Sequence, residues 1–591
     1  MRYPYLSQPG TSRLVTDCFG GLDLREGAGE GSFVRMENLT SDRYPLMAVR
    51  GKRGVYARPQ SPGGLIARDA LCYVDGSHFV INGNPIDLGL SDRKPKRMVS
   101  MGAYVLIFPD KVYLNTGDLT DYGPMEAEFT TQAPVRFSLC DSEGRELQPD
   151  FIQSSQPEEP FGQALWVDTG TSPHGLHQWS ESAGLWVSQQ TTYVKISSPG
   201  IGGNFRQYDG VNLTGLSAGL RDSNTGLEME NAQLGALEGA AVIWHREEDA
   251  VVIVGILDEA VSIEGPVTLS RKLPEMDFVT QSGNRLFGCR YGLNSQGQVV
   301  NEIYASKLGD FRNWNCFMGL STDSYSVSLG DDGPFTGAVT HLGYPLFFRE
   351  NCMHKLYGSY PANFQLQTTP CRGVGKDCGD SLAIVGEVLY YRGVHGFCAY
   401  DGSLPRSVSD ALGAMPCCRT VAGAWGSKYV VSQEGADGWE MLVLDTGRML
   451  WHREDGFHAD AIAPCGRECY AIDHDSGTIV TLGGSGEPLE EEVCWSAQTG
   501  KLGLGTPEQK YVSRLTLRLA ARPGAKVRLL VRYDGCDRWQ EMACLEPKST
   551  GSFSVPFVPR RCDWLELRLE GRGDVQLYSL TRTMEKGSEL P

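Results

Sequence analysis

The sequence predicts an all-β protein: a six- or seven-bladed β-propeller that carries an inserted all-β domain and ends in a β-sandwich. Three observations predict it. The composition sets 71 Gly and 31 Pro beside 21 Phe, 24 Tyr and 11 Trp, a mixture that suits short strands and tight turns better than long helices. A pattern of two strands around a turn recurs seven times along the chain. The last hundred residues alternate apolar and polar side chains with period two.

The 591 residues exceed one core; domains of roughly 100 to 200 residues would give about three or four, fewer if one is a large propeller. Residues 1–60 read as an N-terminal arm whose first strands complete the propeller, and 61–120 as its first blades. Residues 121–267 are the inserted domain, 268–490 the remaining blades and 491–591 the sandwich.

The repeat appears as Gly64-LIARDALCYVDG, Arg97-MVSMGAYVLIFPD, Phe278-VTQSGNRLFGCRYG, Gly337-AVTHLGYPLFFREN, Ser381-LAIVGEVLYYRG, Thr420-VAGAWGSKYVVSQ and Asp460-AIAPCGRECYAID. The starts lie 33, 181, 59, 44, 39 and 40 residues apart, and three of these intervals match the roughly 40 to 50 residues of a propeller blade. A small antiparallel sheet cannot bury both faces alone, and radial stacking supplies neighbours while leaving short edges. A generic all-β protein with many hairpins is the plain alternative. The long interval holds the insertion, whose strands include Ala164-LWVDTG, Gly184-LWVSQQTTYVKIS and Gly239-AAVIWHREEDAVVIVGIL after a Pro-, Gln- and Ser-rich stretch around Gln148 to Pro160.

In the sandwich, Leu515, Leu517 and Leu519 share one strand face and Arg514, Thr516 and Arg518 the other. The polar faces collect Arg514, Arg518, Lys526, Arg528 and Arg532, partly offset by Glu566 and Glu570.

The net charge of −18 argues against a general nucleic-acid binder, which needs a basic footprint. The charge is uneven: residues 501–591 carry +5 and residues 1–500 carry −23, a division that suits ordered subunit contacts. The longest apolar run, Val251 to Leu257, is too short to span a bilayer. The opening MRYPYLSQPGTSR lacks the apolar stretch of a secretory signal, so synthesis and assembly in a cytoplasm are expected. Seventeen scattered cysteines read as free, mostly buried thiols; Cys465 with Cys469, and Cys417 with Cys418, lack the spacing of a zinc site.

Few motifs carry chemistry. No nucleophile elbow, P-loop or HExxH is present. His452, Asp455 and His458 read as a surface turn, and Asp473-His-Asp475-Ser-Gly477 as a hairpin turn, because no acidic residue stands at the twelfth position of a calcium loop. The repeated sialidase turn S-x-D-x-G-x-x-W is missing, and Ser328-LGDDGPF has the wrong spacing. Trp166, Trp179 and Trp186 are either core residues or a surface on which sugar rings stack. No catalytic, cofactor-binding or metal-ligating residue is singled out, no cofactor is expected and the chain is read as no enzyme.

Several phrases resemble one family. Phe19-GGLDLREGAGEGSFVRMENLTSDRYPLMAVRGKRG54 is similar to the opening of phage tail and DNA-stabilisation proteins. Glu302-IYASKLGDFRNW314, Asp331-DGPFTG337, Leu346-FFRENCMHKLYG358 and Leu389-YYRGVHGFCAYDGSLP405 look like blades of phage propeller proteins, and Pro559-RRCDWLELRLEGRGDVQLYSLTR582 like their C-terminal sandwich segments. The resemblance implies a structural virion protein of a phage tail, a nozzle or DNA-retention subunit. Such a subunit self-associates in a ring, by expectation a homohexamer, below portal and adaptor proteins, and genomic DNA passes its channel without sequence-specific binding. The inserted domain then offers a contact with the host surface. A receptor- or glycan-binding tail-tip protein is the first alternative, and a propeller glycoside hydrolase the second.

Overall fold

The computed structural model describes residues 11 to 586 apart from 217–231, 295–296, 417, 437, 506–508, 557 and 559. The fold is nearly all β, 51% strand and 3% helix.

Seven sheets share one plan, an antiparallel meander of four short strands, and each begins in one of the seven repeats. Sheet 1 holds Pro62–Ala67, Leu71–Asp75, His78–Ile81 and Asn84–Asp87, and sheet 2 holds Arg97–Met101, Tyr104–Phe108, Val112–Asn115 and Tyr122–Pro124. Sheets 3 to 6 span 278–328, 337–370, 383–407 and 420–453 in the same way. Sheet 7 contributes Ala459–Cys465, Glu468–Asp473 and Ile479–Thr481, and its next strand is Gly54–Ala57 from the N-terminal segment, with Glu487–Pro488 outside it. In six sheets the first hairpin turns through two residues, one a glycine at positive φ: Gly102, Gly283, Gly343, Gly386, Gly426 or Gly466. Two-residue hairpins need that left-handed conformation to match strand twist, and glycine adopts it without a Cβ clash.

By Cα proximity the chain divides into two compact units, Met1–Met98 with Leu346–His354 and Thr368–Pro591, and Val99–Pro345 with Lys355–Gln367. In the first unit the opening strands of sheets 5, 6, 7 and 1 pack side by side in that order. A Cβ on Gly423 would lie 2.5 Å from Ile462 Cγ2, so sheets 6 and 7 approach as closely as they do only because glycine stands there. Val430, Met441, Cys469, Ala471 and Val480 form the core between these two sheets.

The first unit also contains the sandwich. One sheet runs Leu39–Thr40, Met47–Val49, Val575–Lys586, Lys510–Ala521 and Gly551–Pro556, with Thr11–Thr16 also on Val575–Lys586; the other runs Phe33–Glu37, Cys494–Thr499, Leu565–Arg572, Lys526–Tyr533 and Gln540–Leu545. The period-two alternation holds: Leu515, Leu517, Leu519, Val527, Leu529 and Val531 are buried while Arg514, Arg518 and Arg528 are exposed. Arg50 and Arg53, both buried, join the N-terminal segment to sheet 6. Arg53 meets Glu454 at 2.7 Å and Asp455 at 2.8 Å, and Arg50 meets Glu490 at 2.7 Å. Burial alone would raise the Asp455 carboxyl, but Arg53 and Arg50 outweigh it and hold it below its ordinary value.

The second unit holds sheets 2 and 3, with Met101, Leu106, Phe108, Leu286, Phe311 and Trp314 in their shared core. Between them in sequence lies an eight-stranded sheet built from Ala127–Thr130, Val135–Cys140, Tyr193–Ser197, Gly210–Thr214, Gly239–Arg246, Ala250–Val254, Val261–Ile263 and Thr268–Arg271. Phe137, Val194, Ile196, Val211, Leu213, Ile243 and Val251 fill its core. A separate small sheet of Phe151–Gln153, Leu165–Asp168, Gly175–Ser180 and Leu185–Ser188 projects from the segment between the second and third of these strands.

Candidate functional site

The small sheet has two unlike faces. Side chains alternate along a strand and directly opposed residues share a face, so the register decides which residues meet. Val167 opposes Leu176 and Leu165 opposes Gln178; Val167 and Leu176 pack with Leu139, Leu147 and Ile256 as the sheet's core. On the other face Phe151 opposes Trp166, Trp166 opposes His177, and Trp179 opposes Trp186. Five rings from four strands therefore stand on the face turned away from the core.

These rings touch. Trp186 lies edge-on to Trp166 and to Trp179, each at 5.6 Å between centroids, and Phe151 meets Trp186 at 6.1 Å. Trp166 stacks on His177 at 4.7 Å, and Phe161, 61% exposed, closes on Phe151 at 5.9 Å. These are the offset and edge-to-face arrangements that aromatic quadrupoles favour. Trp166 is only 6% exposed, its Nε1–H donating to the Gln153 carbonyl at 2.9 Å. The Nε1–H of Trp186 is different: it is buried with no hydrogen-bond acceptor among the described residues. An unpartnered indole donor among rings costs free energy until an acceptor reaches it.

Of the three tryptophans singled out in the sequence, the structure brings all into one cluster. Trp166 is the buried base of the face and Trp179 and Trp186 its more open part. Phe151, Phe161 and His177 belong to the same face and went unnoticed; the two-residue step from His177 to Trp179 was the available signal.

Other candidates fare differently. His452 is no surface-turn residue but a buried member of the strand Leu450–Arg453, and Asp455 is bound by Arg53. The reason is that the N-terminal segment covers this strand, with Leu22 N–H donating to the Trp451 carbonyl at 2.7 Å. Asp473–Gly477 is the hairpin turn joining Glu468–Asp473 to Ile479–Thr481, and it brings His474 next to His458. Cys465 and Cys469 flank the turn of one hairpin on its two strands, Cys469 buried; Cys417 lies outside the described residues. The sixteen described cysteines are thiols rather than disulfides. On the sandwich Arg528 pairs with Glu541 and Glu570, Arg532 with Glu566 and Lys526 with Glu546, so only part of the basic set is available to a partner. No described helix is long and apolar enough to cross a membrane.

No protein-family model matches the chain, and no curated protein matches it. Similar solved structures include an exo-β-1,3-galactanase from Phanerochaete chrysosporium with β-1,3-galactotriose, at 10% identity over 52% of this chain and 94% of that one, TM-score 0.22. A glycoside hydrolase family 43 arabinoxylan arabinofuranohydrolase from Bacillus subtilis, in complex with cellotetraose, matches at 9% identity over 52% and 95%, TM-score 0.19. The tricorn protease matches at 10% over 75% and 42%, TM-score 0.13. These matches correct one expectation: glycoside hydrolases stand among the similar structures, so the reading of the chain as no enzyme does not stand. At such scores they assign no substrate and no reaction to this chain. A typical glycosidase needs two carboxyl groups roughly 5 to 9.5 Å apart, and the opening strands of the seven sheets carry one carboxylate, Asp460.

Proposed function

We propose that this protein is a carbohydrate-binding subunit of a bacteriophage tail, in which the aromatic face of the 151–188 sheet is the sugar platform. The observation that carries the reading is the cluster of Trp166, Trp179, Trp186, Phe151 and His177 on a face turned away from its own core. Flat rings suit the C–H faces of pyranoses. The assignment to a tail rests on the phrases at 19–54, 302–314, 331–337, 346–358, 389–405 and 559–582. We further infer that the seven sheets are the blades of one propeller, the last completed by Gly54–Ala57.

The experiment is a glycan array followed by calorimetry on the hits, wild type against Trp179→Ala/Trp186→Ala. Binding lost by at least tenfold in the double variant, with its near-UV circular dichroism retained outside the tryptophan difference, supports the platform. A wild type that binds no glycan, or a variant that binds as well, overturns it.

A ring-forming nozzle subunit is the second reading. The feature that favours it is the exposed pair Arg514 and Arg518 on one sandwich strand, with no carboxylate at ion-pair distance among the described residues. Such a strip suits an acidic neighbour, whether another copy in a homohexamer or an adaptor. Light scattering and negative-stain imaging, alone and with portal and adaptor proteins, decide between a six-fold ring with an axial hole and a monomer. Arg514→Glu/Arg518→Glu should abolish a ring that depends on the strip.

A further inference from the structure

We propose that His458, Asp460 and His474 form a binding site for one zinc-class dication at the start of sheet 7. The three come from two short segments. His458 and Asp460 are two residues apart around Ala459, where the strand Ala459–Cys465 begins. His474 follows the strand Glu468–Asp473, and its backbone N–H donates to the His458 carbonyl at 2.9 Å. One ligand atom from each side chain lies within 4.8 Å of the others.

Each group is prepared for the role. His474 Nδ1 meets Asp460 Oδ1 at 2.9 Å. A carboxylate only accepts, so Nδ1 donates in this contact and Nε2 is the ring nitrogen left for a metal. This carboxylate–imidazole pairing is the arrangement that orients histidine ligands. His458 Nε2 is buried with no partner among the described residues, an atom that a metal bond would satisfy. The ring is held flat between Trp439, at 3.5 Å, and His474, at 3.9 Å. Two imidazoles and one carboxylate are the donor set of zinc rather than of calcium or magnesium, which prefer oxygen alone. A tetrahedral zinc shell has ligand atoms about 3.4 Å apart, given bonds of about 2.1 Å. Closing the site therefore requires His474, exposed on its turn, to slide off the stack.

The test titrates the full chain with Zn²⁺ by calorimetry and with Co²⁺ by visible absorption, beside His474→Ala and His458→Ala. The proposal expects wild type to bind one equivalent more than either variant, or the same equivalent at least tenfold tighter, with no thiolate-to-cobalt charge transfer. His474 is exposed, so His474→Ala keeps the fold and decides the matter if His458→Ala does not. Equal stoichiometry and affinity in wild type and His474→Ala overturn the site. So does a cobalt spectrum with thiolate charge transfer that survives in that variant, since exposed Cys18, Cys494, Cys536 or Cys544 would then be the ligands.

Discussion

His452→Leu should make the protein more resistant to acid. The imidazole lies buried beneath the N-terminal segment, with neither ring nitrogen hydrogen-bonded among the described residues. Burial, reinforced by Lys428 and opposed by Asp445 and Asp42, lowers its pKa to about 4, against about 6.5 in an unfolded chain. Between these values the unfolded chain binds a proton that the folded protein refuses, so stability falls as pH drops through this window. Integrated from about pH 7.5 to about pH 4.5, that difference removes about 2.5 kcal/mol from wild type and nothing from the leucine variant. Asp455, Asp445 and Glu490 are held below their ordinary values and take up protons lower down, so they do not blur the window. At neutral pH the variant should match or exceed wild type, because replacing an unsatisfied polar group by an apolar one of similar size removes a desolvation cost. Urea unfolding of both proteins across the window, followed by circular dichroism, measures the effect. Parallel pH profiles would refute the reasoning and mean that the folded imidazole finds a proton-stabilising partner.

Three further outcomes are expected. Asp209, 2% exposed, accepts from Arg271 and from Asn313 Nδ2 at 3.1 Å; Asp209→Ala strands a buried guanidinium and should cost about 3 to 5 kcal/mol, read as an earlier thermal transition. Gly202→Ala would put a Cβ 1.9 Å from the Glu247 carbonyl oxygen and should cost about 1 to 3 kcal/mol in the same assay, as forced overpacking does. In alkylation followed by mass spectrometry, exposed Cys18, Cys494, Cys536 and Cys544 should react first. Cys72, Cys371 and Cys562, raised to about 11 by burial, and Cys140 and Cys469, raised to about 12, should lag until the chain unfolds.

What the sequence reveals of this fold is what is local. Each of the seven repeats contains an opening hairpin, and in six of them the Gly of a two-residue turn is visible because such hairpins demand it. The sandwich strands are legible because Leu515, Leu517 and Leu519 alternate with exposed Arg514 and Arg518. What escapes is pairing across the whole chain. Phe33–Glu37 pairs with Cys494–Thr499, and Met47–Val49 with Val575–Lys586; nothing within either partner encodes the other. His452 escapes for the same reason, because what buries it comes from residues some 430 positions earlier. The tryptophans of the small sheet are individually conspicuous, but only the register turns them into one face.

The proposed platform would separate structural from recognising side chains in a way that can be tested within one cluster. Trp166 is enclosed by Trp186 and His177 and tied to the Gln153 carbonyl, whereas the core beneath the sheet is small, chiefly Leu139, Val167 and Leu176. A sheet with so little core leans on its aromatic face for cohesion, so Trp166→Ala should unfold it, at a cost of about 3 to 5 kcal/mol. Trp179 sits at the end of the row, its one ring contact among the described residues being to Trp186, and its loss should leave the sheet folded. If the cluster existed for packing alone, the two substitutions would differ only in degree of destabilisation and ligand binding would track the fold. A sugar platform predicts instead that Trp179→Ala keeps the fold of wild type and loses the glycan, a combination that packing cannot produce.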